Sequence, residues 1–514
     1  MKPLTTSVYT FEKLQTGGFL YVDKTAAIFD LISPSFAQYF LSRPRRFGKS
    51  LLISTLKVIF QGRRDLFEGL ALAEKDYDWQ TYPVIHLDMG TMASVDASEL
   101  QHNLLRGVRR AAKENDCEIK ADAAYQAFED LILALADREG KVVILIDEYD
   151  KPLLGHLGQE SAKAIQGILK QFYAVVKTTE PQQRFVLITG VSKFSKVSIF
   201  SDLNNLTDLT MSGQSATLLG YTQEEVEANF PDYIRRLADH QKHSFTETLD
   251  ELRVWYNGYK FHQDAATVYN PVSLMKCLEN RDFKNYWFET GTPSFLLDLL
   301  KRKPLDLGNL TAPAEVFSEY EADKLHALPL LYQTGYLTIK EAIQIGRQRA
   351  YRLGFPNYEI EESLSMAVSS SFANLEMQDS YSALSGMVKA LQAGDIDTML
   401  EHLKTFFTNV PYDLIEQKEK YYQTIFFTVF KLIGAMSEAE VRTNLGRIDA
   451  VVKTEGHIYI FEFKLHGTAA EALKQIHDKQ YAAPFQNEPR QKMLVGVEFS
   501  AETRNIGQWL VDAV

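Results

Sequence analysis

Two cysteines in 514 residues, Cys117 and Cys277, are too few and too far apart for a disulfide scaffold or a spaced metal motif. They are expected as reduced thiols in the core. Apolar runs approaching the length of a membrane span are missing, and Met1-Lys-Pro-Leu-Thr-Thr-Ser-Val-Tyr-Thr10 lacks the apolar core of a signal peptide. The expectation is a cytoplasmic protein with no membrane partner. A basic excess is missing too: the formal net charge is −12, which excludes a coat of positive surface for nonspecific nucleic-acid binding. A local basic groove stays open, because residues 415–514 hold 12 Lys+Arg against 13 Asp+Glu and nearly all the acidity lies upstream. There is no internal repeat or low-complexity stretch. What is present is 45% apolar and 24% charged residues, a soluble globular composition long enough for about two to four domains.

Near the C-terminus, Gly446-Arg-Ile-Asp-Ala-Val-Val452 and His457-Ile-Tyr-Ile-Phe-Glu-Phe-Lys464 flank Glu455-Gly456. They read as two apolar strands around a tight turn. A turn centred on Glu455 and Gly456 sets Asp449 opposite Glu462 and Arg447 opposite Lys464. Cross-strand partners share a face with Cβ atoms about 4.5–5.5 Å apart. Two carboxylates that close call for a hard divalent cation, magnesium or manganese, between them. Lys464, two residues past Glu462, points to the same side. The competing reading is a surface hairpin with two ion pairs. Strands this apolar are instead expected to be buried on both faces, where charges without a task are rare. Upstream, an apolar helix-like segment at 421–436 precedes Ser-Glu-Ala-Glu440, which offers a further carboxylate. Downstream, a helix at Ala469–Ile476 carries Gln475, followed by Tyr481. Asp, then Glu-x-Lys, then Gln and Tyr in this order resembles the PD-(D/E)XK nuclease superfamily. The resemblance implies metal ligands Asp449, Glu462 and, helping, Glu440. It also implies that Lys464 orients water or stabilises the phosphate and that Gln475 supports the site.

In the N-terminal half, the apolar strand ending at Leu41 leads through Ser42-Arg-Pro-Arg-Arg-Phe-Gly-Lys-Ser50 into a helix, the setting of a phosphate-binding loop. Gly48 lets the backbone approach phosphates, Lys49 reaches the β and γ phosphates, and Ser50 ligates magnesium. Arg43 stands where the usual pattern has Gly. Arg45 and Arg46 either add charge beside the triphosphate or face a neighbouring subunit or DNA. A second strand, Val142–Ile146, ends in Asp147 and Glu148, the form of a Walker B strand: Asp147 holds magnesium through water and Glu148 polarises the attacking water. Strands at 83–88 and 184–190, with helices at 99–113 and 123–137, give the alternation of a doubly wound α/β domain. The strand at 184–190 leads to Ser192, where related ATPases carry a polar sensor of the γ-phosphate.

Six ordered motifs then accumulate: Tyr21-Val-Asp-Lys-Thr25, Arg43–Leu51, Leu145-Ile-Asp-Glu-Tyr-Asp-Lys-Pro152, Thr189-Gly-Val-Ser-Lys-Phe194, Phe200–Leu206 and Trp255-Tyr-Asn-Gly-Tyr259. Together they resemble the bacterial AAA-ATPase-like family, whose members commonly carry a C-terminal PD-(D/E)XK domain. In that family Arg43 is part of the usual loop. From residue 269 the chain turns mostly helical, and Ala327–Ile339 resembles the helix, turn and strand of a winged-helix module, read as packing because its aromatics look like core.

The expected fold is therefore α/β: an AAA-like P-loop NTPase domain with a parallel sheet (1–268), a helical and winged-helix-like region (269–375), a helical spacer (376–414) and an α/β PD-(D/E)XK nuclease-like domain (415–514). The expected function is an ATP- and Mg2+-dependent enzyme that cleaves nucleic acid, DNA in the first instance, under control of nucleotide state, with homo-oligomerisation and defence against foreign DNA as its setting. The alternative is a nucleotide-switched sensor or scaffold that binds nucleic acid or a protein without cutting.

Overall fold

The computed structural model describes residues 1–514 except 93, 158, 194–204, 288–293, 303–304, 306–309, 318–326, 409–424, 427, 435–439, 445–447, 465–466, 501 and 504, with the backbone alone described at 294–295, 302, 440–444 and 448–449. Residues 200–204 of one motif, Arg447 and most of Ser-Glu-Ala-Glu440 thus lie outside the described residues. Two compact units form, Met1–Tyr286 with Ala312–Tyr351, and Trp287–Thr311 with Arg352–Val514. Among the described residues no helix is long and apolar enough to cross a membrane.

The first unit is built on a parallel sheet of β1 (Ala37–Ser42), β2 (Val84–Asp88), β3 (Val142–Asp147), β4 (Gln183–Gly190) and the short β5 (Thr207–Asp208), in the order β2-β3-β4-β1-β5. Helix α1 (Lys49–Phe60) follows β1, while α2 (Ala97–Glu114), α3 (Ala124–Glu139) and α4 (Ala162–Thr178) lie between later strands. Every residue of β3 and β4 is buried, as expected of strands covered on both faces. Because all five strands run the same way, the phosphate loop, Asp147 and the segment after Gly190 meet at one edge, where open α/β sheets bind ligands. The same unit includes α5 (Ala327–Gln333), a turn through Gly335 and β6 (Thr338–Ile345), the helix, turn and strand read from the sequence.

In the second unit, helices α6 (Tyr358–Phe372), α7 (Met377–Ala393) and α8 (Ile396–Thr408) precede a five-stranded sheet. Its strands are β7 (Glu440–Asn444), β8 (Ile448–Lys453), β9 (His457–Lys464), β10 (Gln491–Ser500) and β11 (Asn505–Ala513), ordered β11-β10-β9-β8-β7. Only β9 and β10 are parallel, and the crossover between them carries α9 (Ala469–Asp478). Thr468 and Glu471 close a capping box at the start of α9. On one face of β9, Ile458 and Ile460 pack with Ile476 and Leu494. On the other, Phe461 and Phe463 meet Phe430 and Phe426, with ring centroids 5.4 and 4.4 Å apart. Cys277 is buried, but Cys117 is half-buried beyond the end of α2, so the expectation of two core thiols holds for one of them.

Candidate functional site: a phosphate loop and a buried carboxylate

Gly48 caps α1 at φ +91°, a conformation that favours glycine, and among the described residues no side chain caps the helix, which leaves its first amides to an anion. Lys49 is 6% exposed, and its Nζ folds back onto the Arg43 and Pro44 carbonyl oxygens, 2.9 Å from each. Burial lowers its pKa, while Asp147, Asp150 and Glu148 pull it back up. Arg43 turns away from the loop's mouth: its guanidinium donates to the carbonyls of Ser42, Thr210 and Ser215 and lies 4.1 Å over the Phe261 ring. It braces the loop from behind, and burial pulls its pKa down to about 10. Arg46, at φ +65°, donates to the Tyr286 carbonyl at 3.0 Å. Half-buried Arg45 lies close enough to Lys49 to depress it further. Ser50 stands in the first turn of α1.

Asp147 is buried at the end of β3, where its Oδ1 accepts the Thr189 hydroxyl at 2.5 Å and the Glu148 amide at 3.0 Å. Thr189 comes from β4, the strand between the loop strand β1 and β3. Glu148 sits at φ +52°, and burial raises its carboxyl above the ordinary range. Gly90 makes room for it: a Cβ there would lie 2.7 Å from Glu148 Oε2. Asp150, 1% exposed, accepts the Ser192 hydroxyl at 2.6 Å and the Ser192 amide at 2.7 Å. Ser192, the position expected for a polar sensor of the γ-phosphate, is thus fully buried and bonded to a carboxylate. Thr189 and Asp150 went unassigned in the sequence reading, although each is a polar residue at the end of an apolar strand or its turn. Uncapped helix amides and a buried lysine facing carboxylates fit a magnesium nucleotide.

In the second unit the register is the one expected from the turn: Asp449 pairs with Glu462 and Lys453 with Ile458. Glu462 is 2% exposed. Its Oε1 accepts Lys464 Nζ at 3.2 Å and the Gln475 amide, while Gln475 Oε1 also accepts from Lys464. Gln475 reaches back to the Tyr481 hydroxyl at 3.5 Å. Glu462 Oε2 is buried with no hydrogen-bond partner among the described residues. A buried, unpaired carboxylate oxygen is costly unless a cation meets it, so the residues fit a divalent metal. Helix α9 can bring Gln475 there because Gly496, the register partner of Glu462, has no side chain: a Cβ would lie 2.5 Å from Ala469 O and Leu473 N. Glu440 does not join this set. It pairs with Lys453, whereas Asp449 pairs with Asn444, which sets Glu440 about 13 Å along the strands.

The chain matches the model for a predicted AAA-ATPase over residues 5–200 and that of the PD-(D/E)XK nuclease superfamily over 417–509. It is 36% identical over 530 residues to a protein of Azotobacter chroococcum mcd 1 described as an uncharacterized protein in the vnfD 5′ region, covering 100% of this chain and 99% of that one. Among solved structures it is similar to the Aeropyrum pernix ORC2 protein, solved as ADPNP-ADP complexes, at 11% identity and a TM-score of 0.28, over 72% of this chain and 95% of that chain. The chain belongs to the bacterial AAA-ATPase-like family, with a C-terminal domain of the PD-(D/E)XK nuclease superfamily.

Proposed function

We propose that this protein is an ATP-dependent nuclease: an ATP-binding and hydrolysing module in residues 1–268 governs Mg2+- or Mn2+-dependent DNA cleavage by residues 415–514. The observation that carries the reading is Glu462, a buried carboxylate with one oxygen held by Lys464 and Gln475 and the other without a hydrogen-bond partner among the described residues. Its register partner is a second carboxylate, Asp449.

Asp449 and Glu462 would hold the divalent ion, which supplies positive charge to the scissile phosphate and lowers the pKa of water. Lys464 is placed by two acceptors, Glu462 and Gln475, so its ammonium can stabilise negative charge on the phosphate without first being ordered. Gln475 is a positioning residue acting through both. In the first unit, Lys49 would exchange the Arg43 and Pro44 carbonyls for phosphate oxygens, Asp147 and Ser50 would serve magnesium, and Glu148 would take a proton from attacking water.

The test is a cleavage assay on linear, circular and single-stranded DNA with Mg2+ or Mn2+, with and without ATP. Wild type is expected to cut, Asp449→Ala and Lys464→Ala to lose cleavage by about a hundred-fold or more while keeping the fold, and Lys49→Ala to lose the response to ATP. Undiminished cleavage by both Asp449→Ala and Lys464→Ala would overturn the reading.

A further inference from the structure

Gln333 ends α5 and is only 3% exposed. Its carboxamide oxygen accepts the Lys193 backbone amide at 2.8 Å, which identifies the other end as the NH2 group. That nitrogen, Nε2, is buried and has no hydrogen-bond partner among the described residues. A donor sealed from water in this way awaits an acceptor.

Its surroundings say which acceptor. Lys193 directly follows Ser192, whose amide and hydroxyl hold Asp150. Two residues beyond Gln333, Gly335 sits at φ +88° against the loop: a Cβ there would lie 2.7 Å from Pro44 Cβ. Pro44 is the residue whose carbonyl holds Lys49. On the other side of Gln333, Tyr332 is close enough to the Arg43 guanidinium to interact with it electrostatically. Gln333 therefore touches the segment after β4 through its side chain, and two residues on the same turn abuts the phosphate loop, both at the ligand-binding edge of the sheet.

We propose that Gln333 reads the nucleotide state: its Nε2 donates to the terminal phosphate of bound ATP, a group that ADP lacks. Because Gln333 ends α5 and Gly335 leads into β6, the presence of that phosphate is felt directly by the helix, turn and strand of residues 327–345. The inference rests on the reading of residues 43–50 as an ATP site. It adds a ligand contact from a helix about 280 residues along the chain, which neither the loop nor the Asp147 strand discloses.

Calorimetric titration of the full chain with Mg2+ and either a nonhydrolysable ATP analogue or ADP tests it, using wild type, Gln333→Met and Gln333→Glu. The glutamate keeps the shape and the acceptor for Lys193 but puts an oxygen where the donor was, so circular dichroism and thermal unfolding of both variants without nucleotide check that each keeps the fold. Wild type is expected to prefer the ATP analogue. Each variant is expected to lose about ten-fold or more in affinity for the analogue, while ADP affinity stays within about two-fold. An unchanged ratio of analogue to ADP affinity in Gln333→Glu would overturn the assignment of Gln333 alone. Wild type that binds neither nucleotide would overturn the ATP-site reading, and this inference with it.

Discussion

Glu148 keeps its proton to higher pH than an ordinary glutamate, because burial disfavours the carboxylate more than Lys151 and Lys49 restore it. A general base works only when ionised, so the sign is clear: ATP hydrolysis should fall as the pH drops through a value above the ordinary 4.5. Rate against pH checks this, and the acid limb should disappear in Glu148→Gln along with about a hundred-fold or more of the rate. A limb that persists in the variant would assign the titration to another group. At this scale the sequence was most legible where chemistry is local. Gly48, Lys49, Asp147 and Glu148 are neighbours of turns and strand ends that the sequence marks. Thr189 and Asp150 were not legible as site residues, because their partners are set by β4 lying between β1 and β3, an order that no local pattern records. Arg43 was visible as a departure from the usual loop. Its bracing role needed Thr210, Ser215 and Phe261, all more than 160 residues away.

Elements position the nuclease-like site through register and close approach. The β8–β9 register was readable because a two-residue turn leaves one pairing that puts the apolar side chains inside. The β7 strand was not read from the sequence, where Glu440 stood only as the end of a segment after a helix, and it falls opposite Lys453. Gly496 is the hidden determinant of this sheet. Its missing side chain lets α9 lie on β10 beside Glu462, which brings Gln475 within bonding reach of both Glu462 and Lys464. Gly496→Ala should push α9 outward and destabilise the chain by about 1–3 kcal/mol in denaturant unfolding. It should also slow cleavage beyond what the stability loss explains. Full activity with unchanged stability would show that α9 tolerates the shift.

At the scale of the whole molecule, two unlike sites share one chain. The first unit gathers a phosphate loop, three buried or half-buried acidic side chains and the end of α5 at one sheet edge. The second gathers Glu462, Lys464 and Gln475 on a mixed sheet whose central strand is covered on both faces. Composition foretold more than one domain but not that the units are discontinuous in sequence, with residues 287–311 grouped with the C-terminal part and 312–351 with the N-terminal part. Such interleaving depends on contacts between distant segments, which leave no trace in local periodicity. The central claim remains that the Asp449–Glu462 pair holds a divalent metal. Calorimetric titration of Mn2+ into the full chain, with the first unit's site deprived of its carboxylate ligand by Asp147→Asn, tests it most directly. Saturable binding near one ion per chain that vanishes in an added Glu462→Gln substitution is the predicted result, and equal binding with and without that substitution would contradict it.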